Sequence, residues 1–324
     1  MESKSPRMTH GNRGRTPPQW KNYWLLYLDL AGFAQRVREP SERQKLAAVY
    51  SQFVDIAVLW APPVTRKFEQ FDLTLRDVER VREDGIAAID GRLRDSDARS
   101  VRESIAIWRD RVHVFSDSVF VFFDCHEHRD TLTAEHANLV ETAAHMSSAL
   151  WAREIPHKGA ISYGECYVHD RVCLGMPIVS GHAWEKNQEW LGISVSPESM
   201  EEAKAAGFLA RGPLEHGLFE HEVPTNDPAG SQIAYCVDVP RFVSGIRRSG
   251  RGSVREPSFA VVVDGLGKAA GSVATGDSKS EKLKRRYRAT ATIWQASRAC
   301  DGAEQSVRDA LGEIIRSCTS AATK

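Results

Sequence analysis

Tyr27-Leu28-Asp29-Leu30-Ala31-Gly32-Phe33 is the stretch on which the fold turns. An apolar run from Tyr23 to Leu28 delivers one carboxylate, and a small-residue turn follows at once. A strand that ends in Asp before an Ala-Gly turn can set a metal-binding carboxylate beside backbone N–H groups able to cradle phosphate. The same pattern also occurs as plain α/β punctuation. It is answered downstream by Val112-His113-Val114-Phe115-Ser116-Asp117-Ser118-Val119-Phe120-Val121-Phe122-Phe123, which reads as an apolar hairpin with a second acid, Asp117, at its tip.

Working outward, Trp20, Tyr23, Trp24 and Tyr27 among leucines favour a strand over Gln19 to Leu30. Pro40-Ser41-Glu42 opens a helix, with Ser41 as its cap and Leu46, Val49, Tyr50, Phe53, Ala57 and Trp60 at helical spacing. Residues 65–110 read as one or two exposed helices. The pattern then gives a hairpin over 111–124, a helix from Thr133 to Arg153, and a strand from Lys158 to Val168. A turn at His169-Asp170, a strand to Leu174, a helix from Pro177 to Trp190 and a strand from Leu191 to Ser196 follow. A helix from Glu198 to Ala206 and a last strand from Ile233 to Val239 complete the body. Hairpins beside crossover helices predict an α+β fold, a mixed, mainly antiparallel sheet with helices on one side.

Three regions are expected: a disordered basic arm over 1–19, a body over 20–245, and a linker with a helical C-terminal extension over 246–324. Gly245 to Ser253 and Gly271 to Ser280 read as flexible linkers, and Phe259 to Val263 as one further strand. Apolar faces between Glu281 and Thr319 need the body or a partner subunit to cover them.

The chain has 324 residues and balanced charge, 43 basic against 43 acidic, so any polyanion site is local and no direct nucleic-acid role is expected. Six cysteines form no CxxC pair, which suits a reducing cytoplasm without structural zinc, and Cys125, His126 and His128 match no zinc spacing. No apolar run reaches the ~20 residues of a membrane helix. Lys282 to Arg288 is a basic run able to touch nucleic acid or pyrophosphate, although such a run is usually a solvated helix face.

Asp29 and Asp117, on strands able to pair side by side, have the chemistry to hold two divalent ions ~3.5–4 Å apart for phosphoryl transfer. Tyr27 precedes Asp29 by two residues, so strand alternation points both side chains the same way. Tyr27 is then a site residue or a core aromatic. With the Gly159-Ala160-Ile161-Ser162-Tyr163-Gly164-Glu165 and Gly175-Met176-Pro177 segments and the following helix with Glu185, these motifs resemble, in order, those of the class III nucleotidyl cyclase homology domain. The resemblance covers residues 20–200 and is nearest to the bacterial pyrimidine cyclases of anti-phage defence.

The resemblance implies a ferredoxin-related cyclase fold, two Mn²⁺ or Mg²⁺ ions on Asp29 and Asp117, the Leu30 carbonyl on one ion, and triphosphate on the Ala31, Gly32 and Phe33 amides. It further implies a symmetric homodimer with shared sites, and a nucleoside triphosphate converted to a 3′,5′-cyclic monophosphate that acts on a separate effector. UTP is the first choice of substrate and CTP the second. His113 and Val172 stand where purine cyclases read the base, which argues against purines. Val179 and Ala183 stand where their transition-state Asn and Arg would fall. Asn187, Lys158, His157 and Lys186 are the candidate replacements, or surface residues; Tyr50 walls a base pocket or belongs to the core. Competing readings are a degenerate nucleotide-binding or regulatory domain, a purine cyclase, and another two-metal phosphotransfer enzyme.

Overall fold

The computed structural model describes residues 20–59, 111–124, 129–169, 172–205, 217–246, 258–273, 277–297 and 305–319. The expected arm over 1–19, the helices over 65–110 and the Cys125, His126 and His128 group lie outside them. In chain order the elements are β1 (Trp20–Leu30), α1 (Phe33–Arg38), α2 (Pro40–Leu59), β2 (Val112–Phe115), β3 (Ser118–Asp124) and α3 (Arg129–Trp151). Next come β4 (His157–His169), β5 (Val172–Gly175), α4 (Met176–Asn187), β6 (Ile193–Val195) and α5 (Pro197–Ala205). The chain continues through β7 (Leu218–Pro224), β8 (Ser231–Val237), α6 (Val239–Ile246), α7 (Phe259–Gly271), α8 (Ser278–Ala296) and α9 (Gln305–Thr319).

The eight strands form one sheet in the order β2-β3-β1-β4-β6-β8-β7, with β5 paired to β4. Among the described residues only the β4–β6 pairing is parallel, so the sheet is mixed and mainly antiparallel, as expected for an α+β chain. β1 lies between β3 and β4 and is laddered to β4 along its whole length, from Trp20 opposite Tyr167 to Leu30 opposite His157.

Alternation along β1 sorts the layers. Trp24, Leu26, Leu28 and Leu30 join the large core beneath α2, α3 and α6 to α9. Tyr23 and Leu25 point the other way, into a smaller cluster with Phe122 and Cys166 on which Ile178 of α4 packs. Helices therefore cover both faces, not one. The unbroken apolar run from Tyr23 to Leu28 is the sequence trace of a strand buried on both sides.

Other expectations are corrected locally. Glu39 accepts from the Arg43 amide, so α2 begins at Pro40 and Ser41 lies within its first turn instead of capping it. Phe259 to Val263 is not a strand but the start of α7, capped by Ser258, which accepts from the Val261 amide. A short apolar run has no period of its own to separate strand from helix. β7 carries no clear strand signal in its sequence, because charges alternate through Leu218–Pro224, as befits a sheet edge.

The C-terminal helices belong to the same core as the sheet. Trp151, at the end of α3, meets the rings of Tyr287 and Trp294 at 6.3 and 5.9 Å. Their apolar faces are thus satisfied within the protomer. α7 crosses α3 so closely that a Cβ on Gly265 would lie 1.8 Å from the Trp151 carbonyl oxygen, whereas one on Gly267 would make an ordinary 3.6 Å contact with Ile314. Gly265→Ala is expected to cost about 2–3 kcal/mol in urea unfolding, whereas Gly267→Ala, its helix-propensity control, is expected to gain about 0.5–1 kcal/mol.

Candidate functional site

Asp29 is the last residue of β1 whose side chain points away from the main helical layer. It stands between Ser118 of β3 and Lys158 of β4 in the sheet register. Asp117 sits in the β2–β3 turn, where Ser116 takes the left-handed conformation at φ 55°. Two hydrogen bonds pin this turn: the Leu30 amide donates to the Asp117 carbonyl at 2.9 Å, and the Tyr50 hydroxyl donates to the Ser116 carbonyl at 2.7 Å. The two carboxylates are thereby brought to one end of the sheet by main-chain geometry. Burial, reinforced by the charges of Glu185 and Asp117 and opposed by Lys158, raises the Asp29 carboxyl to about 6.

Tyr27 shares this face, as alternation required, and is both core aromatic and site wall. It is buried, its ring lies 5.1 Å from that of Phe120, and its hydroxyl bonds Ser118 Oγ at 3.3 Å and His182 Nδ1 at 3.1 Å. Burial is the main reason its pKa rises to about 12. Tyr50 is half-buried, packs edge-to-face on Phe33 at 6.3 Å, and frames the acid turn from the α2 side. His113 is buried two strands away on the same face, opposite Phe120 and against Phe115 and Phe122.

The Ala31 to Phe33 turn divides into two parts. The Ala31 amide donates to the Pro156 carbonyl at 2.9 Å and is occupied. Gly32 has φ 74°, with no heavy atom within 4 Å of where a Cβ would stand, and it opens α1. The Gly32 and Phe33 amides precede the first intrahelical bond and have no acceptor in the helix. Leu30 turns its side chain into the core.

Lys158 does not stand free for a phosphate. Its Nζ is ion-paired to Glu185 Oε1 at 3.0 Å and donates to the Glu185 and Gln188 carbonyls at 2.6 and 3.0 Å, which uses its three hydrogens. His157 points into the opposite layer, fully buried against Ser147, and burial lowers its pKa to about 4, so it is no cation. Asn187 donates to Asp227, and Lys186 is exposed. Val172 and Val179 are exposed, as is Ala183.

Sequence reasoning missed Ser118 and His182 and left Glu185 without a role. Ser118 directly follows Asp117, and the three-residue spacing of His182 and Glu185 stacks them on one face of α4. Among the described residues the oxygen donors here are the two carboxylates, Asp29 also bonded to Ser118, and the main chain, hard oxygens that suit Mg²⁺ or Mn²⁺. Asp29 and Asp117 repel one another as they stand, and a divalent cation between them would relieve that repulsion. No family model matches this sequence, and no curated protein matches it significantly.

The Asp29 shift has a definite sign. Its folded pKa, about 6, lies above the ordinary 3.8, so ionised Asp29 opposes folding; that cost is fully present above pH 6 and fades as pH falls towards 3.8. In EDTA, Asp29→Asn is expected to stabilise the protein by roughly 2 kcal/mol at pH 8 and to give no gain near pH 4, read by urea unfolding at both values.

Proposed function

We propose that this chain is a metal-dependent nucleotidyl cyclase that converts a pyrimidine nucleoside triphosphate, UTP first and CTP second, to its 3′,5′-cyclic monophosphate and pyrophosphate. The observation that carries the reading is the Asp29 and Asp117 pair, held at one sheet end by the Leu30 to Asp117 hydrogen bond with the Asp29 carboxyl raised. Asp29 and Asp117 would hold two Mn²⁺ or Mg²⁺ ions, which when bound polarise the α-phosphate and acidify the ribose 3′ hydroxyl. The bond formed is 3′ oxygen to α-phosphorus, the bond broken is α-phosphorus to the bridging oxygen, and the hydroxyl proton leaves to solvent as pyrophosphate departs. Gly32 and Phe33 offer amides to the phosphate chain. Tyr27, anchored by Ser118 and His182, limits the depth of the site, and His113 at the base-reading position disfavours purines. In this reading the product activates a separate effector during anti-phage defence.

A second copy is part of the proposal. Trp20, Val172, Leu174, Met176 and Val179 are each at least half exposed, around the β4–β5 end and the start of α4. An apolar surface of this kind suits a symmetric partner, and a partner could bring groups to a site in which no described residue stands as a free transition-state cation. Leu174→Glu is expected to shift the protein from dimer to monomer in sedimentation velocity at micromolar concentration.

Val179 and Ala183 on the exposed face of α4 favour a second reading, a nucleotide-binding domain without turnover. Incubation with each of ATP, GTP, CTP and UTP plus Mn²⁺, with products identified by mass, separates the two. Cyclic UMP or cyclic CMP is expected from the wild type and none from Asp117→Asn. Nucleotide binding without product would leave the binding module, and a dinucleotide product would indicate a different two-metal enzyme.

A further inference from the structure

At the β7 edge of the sheet, a cleft of about 610 Å³ opens between the β7–β8 hairpin and one face of α8. Its size falls within the range of ligand sites, roughly 300–1,000 Å³. Lys282, Arg285 and Arg288 recur every three residues along α8, so successive turns present three cations to the same side. Opposite them stand His221 and Thr225 of the hairpin.

The acceptors of this cleft each have a partner within the chain, and Glu222 is exposed, so it can turn to solvent. Glu189 accepts from Arg286 Nη2 and Nε, at 2.8 and 3.1 Å, and pairs with Lys282 at 3.0 Å. Glu222 accepts from Ser231. Asn226 donates to the Lys186 carbonyl and accepts from Lys282.

Two buried donors lack one among the described residues. Thr225 is only 8% exposed, yet its Oγ1 has no hydrogen-bond partner among the described residues. His221 Nδ1 accepts from the Glu222 amide at 2.8 Å, which leaves the ring hydrogen of the neutral form on Nε2, also buried and without a partner among the described residues. Burial lowers the His221 pKa and favours that neutral form. Leaving a buried donor without an acceptor opposes folding, and a ligand oxygen would relieve that cost. Arg285 is exposed and Arg288 half-exposed, so both can turn towards an occupant.

We infer that this cleft binds a small phosphorylated molecule, whose phosphoryl oxygens are taken by Arg285 and Arg288 and accept hydrogen bonds from Thr225 Oγ1 and His221 Nε2. Guanidinium groups match phosphate in charge and fork geometry, and a site with spare donors and committed acceptors selects an anion. Pro224, Ala289 and Ile293 line the cleft with apolar surface for the rest of the molecule, which favours a nucleotide over a bare phosphate. The hairpin is tied to the end of α4: the Asn226 amide donates to the Asn187 carbonyl at 2.8 Å, and the Glu189 amide to the Pro224 carbonyl at 2.7 Å. Thr225 also bridges Gln188, whose carbonyl holds Lys158. An occupant thus rests against the segment that fixes Lys158 opposite Asp29.

The test is calorimetric titration of the full chain in EDTA with orthophosphate, pyrophosphate and UTP, with sulfate as ionic control. Saturable binding of pyrophosphate or UTP is expected, weakened about tenfold or more in Arg285→Gln/Arg288→Gln and about threefold in Thr225→Val, and unchanged in Asp117→Asn. UTP tighter than pyrophosphate identifies a nucleotide site; equal affinities identify a phosphate site. No saturable binding in the wild type, equal affinity in wild type and both cleft variants, or loss of binding in Asp117→Asn would each overturn the assignment. Should the double variant fail a near-ultraviolet circular dichroism check, the near-isosteric Thr225→Val decides.

Discussion

The structure hangs on β1 being buried on both faces. Its backbone is laddered to β3 and β4, and its side chains alternate between two apolar clusters, so neither its register nor its facing can slip without moving a whole set of large residues into the wrong layer. That rigidity is what makes Asp29 informative. The residue arrives at the strand end on the face of Tyr27 and Leu25, and the Leu30 amide in the next peptide reaches the Asp117 carbonyl. That bond ties the backbone beside Asp29 to the backbone of Asp117.

Charge around this pair is set by an unusual burial. Lys158 and Glu185 are an ion pair with both side chains less than a tenth exposed, completed by two carbonyls at the end of α4. Such a pair is weak as a source of stability, because desolvation offsets most of its attraction, whereas loss of one partner strands a charge. Its consequence here is positional. Lys158 stands opposite Asp29 on β4 and opposes the rise of its pKa, while Glu185 adds to it. The field at the carboxylates is thus tuned from α4, the helix whose C-terminal end is also bound to the β7–β8 hairpin.

The C-terminal helices close the other layer instead of reaching outward. Trp151 meets Tyr287 and Trp294, and Gly265 permits a helix crossing so close that any side chain at that position would strike the Trp151 carbonyl. Burial of that aromatic group joins the extension to the core, while apolar residues near β5 and the start of α4 stay exposed.

The sequence by itself determined the strands around the site and the helix α4, because they rest on local signals, but not the short α1 that opens at Gly32. The aromatic and leucine run of β1, the apolar hairpin carrying Asp117, and the two-residue offset between Tyr27 and Asp29 all state which face a side chain occupies. It could not separate strand from helix at Phe259 to Val263, where a short apolar run lacks a period, nor recognise β7, whose charges suit an edge that only tertiary pairing defines. Tertiary structure alone decided the fate of the cations. Lys158 and His157 are neighbours in sequence, yet alternation sends one to Glu185 beside Asp29 and the other into an apolar layer that keeps it neutral. It also decided that the basic run in α8 has two sides, Lys284 and Tyr287 buried and Arg285 and Arg288 turned to a cleft, because the depth of a helix face depends on what packs against it.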